Sequence, residues 1–357
     1  MTETELKNYI AAIRPADRDA MAAARQRQAQ LAKPPGSLGA LEDMSVRLAG
    51  VTGRVCPPMN RCRVAVFAAD NGVVDEGVSC APRSVTVQQA VNMTRRKTGM
   101  SAMAAAFGDD VAVVDVGMDC GTTPAGILNR RVRRSTGDIA IEDAMTRPQA
   151  LAAIAAGMEQ AALARADGVT ALGIGEMGIG NTSTSAAVLA VLTGAEIETV
   201  TGRGGGLTDR AFARKKDVLR TSVGRRPIRR DDAVDVLCAV GGLDIAAMTG
   251  AFLGCAHEGI PAALCAVALC PAVRDYLFLS HDSYEVGYRL AAERLGLEPC
   301  LHLGMRLGEG SGCPLLFRVM EGACGVMSGM ATFAEAAIHD GYLDEIRAQD
   351  SFTVDRP

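Results

Sequence analysis

Short apolar runs separated by helical lengths of chain constrain the fold of this sequence more than any other feature. They read RVAVFAAD (63–70), DVAVVDVG (110–117), DIAIED (138–143), GVTALGIG (168–175), IPAALCAVAL (260–269) and YLFLSHDS (276–283). A strand that is apolar on both faces must be covered on both faces, and chain of helical length between such strands supplies the cover. The pattern predicts an α/β fold with a Rossmann-like parallel sheet and helices on both faces. An Ala-rich helix is expected over residues 147–167. Both chain ends read as helical: residues 16–32, stopped by Pro34, Pro35 and Gly36, then 38–49, and finally Pro314 to Ile338. The expected division is a small helical lobe built from residues 1–60 with 314–357, and a large α/β nucleotide-binding domain over 61–313.

Composition narrows the partners. The chain has 39 glycines, long alanine runs, no tryptophan and 4% aromatic residues, which suits Ala-rich helices lying close against a sheet. A net charge of −4 gives no electrostatic pull toward nucleic acid or an anionic membrane, so neither is expected as a partner. The longest apolar run, Ile260 to Val273, is too short to span a bilayer and contains two prolines. The start, MTETELKNYI, lacks the basic and apolar regions of a signal peptide. Eleven cysteines without a Cys-x-x-Cys pair, and four histidines at no ligand spacing, predict reduced thiols, no metal and a cytoplasmic location.

In a parallel sheet, ligands bind beyond the carboxyl ends of the strands. Asp70 and Asn71 follow the first run, Glu176 follows the fourth, and Ser280 and Asp282 follow the last. Gly173-Ile-Gly175-Glu-Met-Gly178 fits G-x-G-x-x-G, with Glu196 and Glu198 where a ribose-binding acid of a dinucleotide site would lie. The continuation Ile-Gly180-Asn181-Thr182-Ser183 equally suits a single phosphate held at a helix start, or a plain glycine turn with a capped helix. Thr201-Gly202-Arg203-Gly204-Gly205-Gly206, with Lys215 and Lys216 downstream, is either a second anion loop or a solvated connection. No P-loop signature is present. Glu309, between glycines in LGMRLGEGSG (303–312), is either a partly desolvated proton acceptor or an exposed loop carboxylate. For Lys33-Pro-Pro-Gly-Ser-Leu-Gly39, pattern gives a rigid loop and a helix start, and no chemistry.

Taken together, these runs resemble the nicotinate-nucleotide–dimethylbenzimidazole phosphoribosyltransferase family. The matching stretches are KPPGSLGALE (33–42), AADNGVVDEGVS (68–79), VTVQQAVNMTRRKTG (85–99), VVDVGMD (113–119), GIGEMGIGNTSTSAA (173–187), TGRGGGLTD (201–209), VGGLDIAAMTGAFLGCA (240–256) and HLGMRLGEGSG (302–312). The resemblance implies a homodimer acting on small molecules in cobamide lower-ligand synthesis. The phosphoribosyl group of nicotinate mononucleotide passes to an aromatic base, with no cofactor. It implies Glu309 as general base and Glu176 as a second acid near the reaction centre. Gly178, Gly180, Asn181, Thr182, Gly202, Arg203, Gly204, Lys215 and Ser280 are implied around the donor nucleotide. Asp70, Gln89, Met305 and Leu307 are implied around the acceptor.

The chain departs from the family pattern at Asn71, where histidine is usual, and at Ala81-Pro82, where Ser-Pro is frequent. It also shortens the stretch between Cys265 and Cys270. Those departures predict retained donor binding with an altered acceptor preference. The competing expectations are a non-catalytic paralogue that binds a nucleotide or serves as a partner subunit, and an NAD-dependent oxidoreductase.

Overall fold

The computed structural model describes residues 1–263 and 269–344. Among them, five parallel strands form one sheet: β1 (Cys62–Ala69), β2 (Asp110–Gly117), β3 (Leu128–Asn129), β4 (Ala171–Met177) and β5 (Ala262–Ala263), in the order β3-β2-β1-β4-β5. β1 lies at the centre, and from Val64 to Ala69 it is apolar and out of solvent. Its register pairs Phe67 with Glu176 on one side and Ala68 with Asp115 on the other. The three long strands therefore end at one edge, and that edge carries the polar residues that follow them.

The run DIAIED does not join the sheet. Asp138 accepts the Ala140 amide through its carboxylate and the Ile141 and Glu142 amides through its carbonyl, which closes a turn and leaves Ile141 71% exposed. Of IPAALCAVAL, Ala262 and Ala263 pair with β4, and the expected strand over 264–268 lies outside the described residues, as does Cys265. YLFLSHDS contributes an isolated bridge, Ala262 to Leu277, with Leu277 to Leu279 buried.

The glycine and alanine content has a specific use. The Arg147–Ala166 helix packs along the Leu243–Glu258 helix so closely that a Cβ on Gly157 would strike the Ala247 carbonyl, and one on Gly250 the Ile154 carbonyl. Ala161 and Ala251 lie in the seam and have no exposed surface. The Leu243–Glu258 helix in turn packs on β1 and β4, and the Ser84–Thr94 helix on β1, β2 and β4.

Met1–Arg14 and Arg61–Leu316 form one compact unit, and Pro15–Asn60 with the described residues from Phe317 onward form a second. The first fourteen residues thus differ from the expected lobe of 1–60. The Glu3–Ala11 helix is tied to the larger unit by the Glu3–Arg147 ion pair and by Tyr9 stacked on His257 at 4.2 Å, and just beyond it the Arg14 carbonyl accepts the Tyr276 hydroxyl at 3.0 Å. In the second unit, Ala24, Leu31, Val46, Ala49 and Met327 make the core. Lys33, 8% exposed, reaches Glu42 at 2.6 Å, and Glu42 also accepts the Leu38 amide, so the KPPGSLG segment is a locked turn here. The helix expected to run to Ile338 ends at Gly329, after which Glu335 accepts both the amide and hydroxyl of Thr332.

Candidate active site

β4 carries Glu176 to the polar edge of the sheet, and the 303–312 loop lies against the same strand. A Cβ on Gly175 would stand 2.6 Å from the Glu309 carbonyl oxygen and 2.7 Å from the Gly310 nitrogen, so only glycine admits this approach. Glu309 adopts a left-handed backbone, φ +63°, an uncommon and costly conformation for a residue with a side chain. The residue is 6% exposed, with the Met100 amide, in the first turn of the Gly99–Phe107 helix, 3.5 Å from Oε2. Glu176 accepts from the Asn181 side-chain amide at one oxygen and turns the other toward Gly308, the residue before Glu309. Burial, then the charge of Asp244, pushes Glu176 up to about 8, with smaller contributions from Glu309 and Glu285.

Next to the carboxyls is an anion corner. Lys215, on the Asp209–Gly224 helix, has no exposed surface and donates to the Thr182 hydroxyl at 2.8 Å and the Gly202 carbonyl at 3.0 Å. Burial lowers it to about 8, against the opposing pull of Glu285. Thr182 lies in the first turn of the Asn181–Thr193 helix, where unsatisfied amides collect positive charge. Gly204 stands over Thr182 and Lys215: a Cβ there would be 3.0 Å from Oγ1 and 3.9 Å from Nζ. Gly180 opens the helix with φ +93°, and Gly178 abuts the Ala69 carbonyl. Gly173 and Gly175 lie inside β4, whereas a dinucleotide fingerprint places its glycines in the turn after the strand. The motif's glycines thus serve close packing within β4 and the turn into the helix.

The structure therefore brings Glu176, Asn181, Thr182, Gly202, Gly204, Lys215 and Glu309 together. Leu307, 49% exposed, reaches Gly99 at the start of the helix that faces Glu309. Ser280 bonds His281 Nδ1 at 3.0 Å, and both press on Gly312, so Ser280 lies behind the Glu309 loop. Asp70 is buried beyond β1, accepting from Thr86 at 2.6 Å and from the Asp119 amide at 2.8 Å, and burial raises its carboxyl. Gln89 accepts from Asn92 on its own helix, and the Met305 carbonyl accepts the Tyr284 amide. Arg203 is engaged elsewhere: its guanidinium pairs with Asp209 at 2.6 Å, donates to the Leu207 carbonyl and lies over Phe212.

The profile of a family described as Phosphoribosyltransferase matches residues 13–338 of this chain. The chain belongs to that phosphoribosyltransferase family. It is 42% identical to the nicotinate-nucleotide–dimethylbenzimidazole phosphoribosyltransferase of Clostridium perfringens (strain 13), across 98% of this chain and 99% of the relative. The enzyme of that name from Geobacter metallireducens is also 42% identical, across 95% and 99%. Among solved structures, CobT from Thermus thermophilus superposes with a TM-score of 0.86 at 39% identity, covering 90% of this chain and all of that one.

Several residues of this phosphoribosyltransferase that bear on the site are not evident from the sequence. Asp244 begins the Leu243–Glu258 helix, where an aspartate reads as an ordinary helix-start residue, yet it is wholly buried, and burial raises it to about 6. Glu285, whose charge acts on both Glu176 and Lys215, sits in a loop with no motif of its own. Thr86 links Asp70 to the Ile179 amide at 3.0 Å, joining the β1 and β4 ends, a bridge visible only in three dimensions. Among the described residues, no helix is long and apolar enough to cross a membrane.

Proposed function

We propose that this chain transfers the 5-phosphoribosyl group of nicotinate mononucleotide to dimethylbenzimidazole or a related aromatic base, giving nicotinate and an α-ribazole phosphate. The observation that carries the reading is the juxtaposition of the buried Glu309 carboxylate, held on Gly175, with the Thr182–Lys215 anion corner. One holds a proton acceptor, the other suits a phosphate, and the relatives' names supply the substrates.

Nicotinate in the mononucleotide is a pyridinium, already an activated leaving group. Its departure leaves an oxocarbenium-like ribose, which the acceptor nitrogen attacks from the opposite face with inversion. Lys215, Thr182 and the Gly202–Gly204 backbone hold the donor phosphate. Holding donor and acceptor in line can contribute about 7 kcal/mol or more to lowering the barrier. Glu309 takes the N–H proton of the acceptor as the new bond forms. Arg203 shapes its glycine loop through Asp209 and Leu207, and the loop backbone, not the guanidinium, meets the donor. Asp70, Gln89, Met305 and Leu307 border the acceptor. The protein works as a cytoplasmic homodimer, which native mass spectrometry would test.

The deciding experiment is chromatography of nicotinate released from the mononucleotide with a panel of benzimidazoles, purines and phenols. Release that depends on the acceptor supports the reading and ranks the bases. Folded protein that binds the donor and releases nothing with any acceptor would assign it instead to a non-catalytic paralogue.

A further inference from the structure

Asp244 is a buried carboxylate that the transfer mechanism leaves without a task. It has no exposed surface, its Oδ1 accepts the Ile245 amide at 2.9 Å, and its Oδ2 has no hydrogen-bond partner among the described residues. Such a group costs stability, so its place in the fold calls for an explanation. Oδ2 points at the turn that links β4 to the Asn181–Thr193 helix: a Cβ on Gly178 would be 3.1 Å from it. Glu176 is two residues before Gly178, near the end of β4. Asn71, beside Asp244, opposes the effect of burial there but carries no charge to offset it, and the Asn71 amide donates to the Ile179 carbonyl at 3.4 Å. The charged groups that face Glu176 are Asp244 from the Leu243–Glu258 helix, Glu309 from the 303–312 loop and Glu285 ahead of the Val286–Leu295 helix. Asp70, beyond β1, faces Asp244 from the other side. Lys215, the nearest buried cation in the site, is spent on Thr182 and Gly202. Several carboxyls thus share one region, and among the described residues Glu176 has a single hydrogen-bond donor, the Asn181 side chain.

We propose that Asp244 is a positioning residue for the transfer: its buried charge keeps a proton on Glu176, so that Glu176 meets the substrate as a neutral hydrogen-bond donor and the acceptor's proton goes to Glu309. This rests on the phosphoribosyl-transfer reading and assigns the two glutamates opposite protonation states within it. Like charges in one confined site cannot all ionise together, and the group with the most negative neighbours holds the proton. Glu176, partly exposed, is that group because Asp244, Glu309 and Glu285 all face it, whereas Asp70 faces Asp244. The proton on Glu176 remains in place through the reaction, and the only proton transferred is the one from the acceptor nitrogen to Glu309.

The test is kcat for nicotinate release at saturating donor across pH 6 to 10, for wild type, Asp244→Asn and Glu176→Gln. Saturating donor removes the titration of free Lys215 from the profile, because that group acts on donor binding. Wild type is expected to lose rate above about pH 8. Asp244→Asn is expected to move that fall lower by about one pH unit, a tenfold loss on the alkaline side with the low-pH plateau largely kept. Glu176→Gln, which cannot ionise, is expected to show no alkaline fall. A uniform drop in Asp244→Asn with the fall in place would overturn the proposal and leave Asp244 a packing residue. So would an alkaline fall that persists in Glu176→Gln. If Asp244→Asn does not fold, Asp244→Ser removes the same charge and reads the same shift. Failure of the underlying reading looks different: wild type then releases no nicotinate at any pH.

Discussion

Gly175→Ala tests whether the placement of Glu309 sets the rate. The added methyl would lie 2.6 Å from the Glu309 carbonyl oxygen and 2.7 Å from both the Glu309 carbonyl carbon and the Gly310 nitrogen. Contacts of that kind relax at 3.0–3.4 Å, so the loop must withdraw from β4 by about 0.4–0.8 Å. The obstructing atoms are backbone, and no side-chain rotation relieves them. β4 cannot yield instead, because Gly175 is paired with Val66 of the central strand. A displacement of about 1 Å at a reacting group costs on the order of 100-fold, so kcat should fall between about 10- and 100-fold. Overpacking should cost about 1–3 kcal/mol of stability, partly offset by about 0.5–1 kcal/mol from the stiffer unfolded chain. Donor KM should stay within about threefold, since the Thr182–Lys215 corner is untouched. Gly224→Ala is the control: its Cβ meets nothing within 4 Å, so rate and Tm should hold. The assay is steady-state nicotinate release alongside a thermal melt. A folded Gly175→Ala protein with wild-type kcat would refute the reasoning, because the rate would then not depend on where β4 holds the loop.

Other substitutions separate the remaining roles. Glu309→Gln should lower kcat by about 10²- to 10⁴-fold with donor affinity nearly intact; an equal loss of donor binding, read by calorimetry, would make the residue structural. Lys215→Ala should weaken donor binding by about tenfold or more, whereas Arg203→Ala, whose guanidinium is held by Asp209, should change it by less than about threefold. Because free Lys215 titrates near 8, donor affinity should also decline as pH rises through that value, and the decline should vanish in Lys215→Ala. Glu176 carries a stability penalty of definite sign. Its folded value is raised from 4.5 to about 8, so between those values the unfolded chain releases a proton that the folded chain keeps, and stability is lost as pH rises. Glu176→Gln should therefore melt higher than wild type at pH 8, by about 1–3 kcal/mol in stability, with no gain at pH 4.5. An equal gain at both pH values would show that the effect is packing.

What the sequence reveals, and what it conceals, follows from where each interaction is made. β1, β2 and β4 are legible because burial on both faces demands continuous apolar residues, and the polar residues at the ends of the first and fourth runs mark the polar edge of the sheet. Asp70 and Glu176 are legible on that ground. DIAIED has strand-like composition, but Asp138 bonds its own following amides, and a local turn outcompetes a sheet partner. Gly173 and Gly175 mimic a dinucleotide fingerprint because glycine answers two different demands, a tight turn and a close neighbour. Only the position of Glu309 against Gly175 decides between them. Arg203 has the residue type of a phosphate ligand, and in this structure its guanidinium lies on Asp209 and Phe212, six and nine residues on. Asp244 is the opposite case: ordinary by position and costly by environment. Its burial comes from the seam that Gly157, Gly250 and their alanines allow, which draws the Leu243–Glu258 helix onto β1 and β4 and carries the aspartate at its start out of water. The small residues that make the composition unusual thus also set the electrostatics of the site. A bulkier residue at Gly157 should perturb the pH profile as well as the melting temperature, although it is on a different helix from every proposed catalytic group.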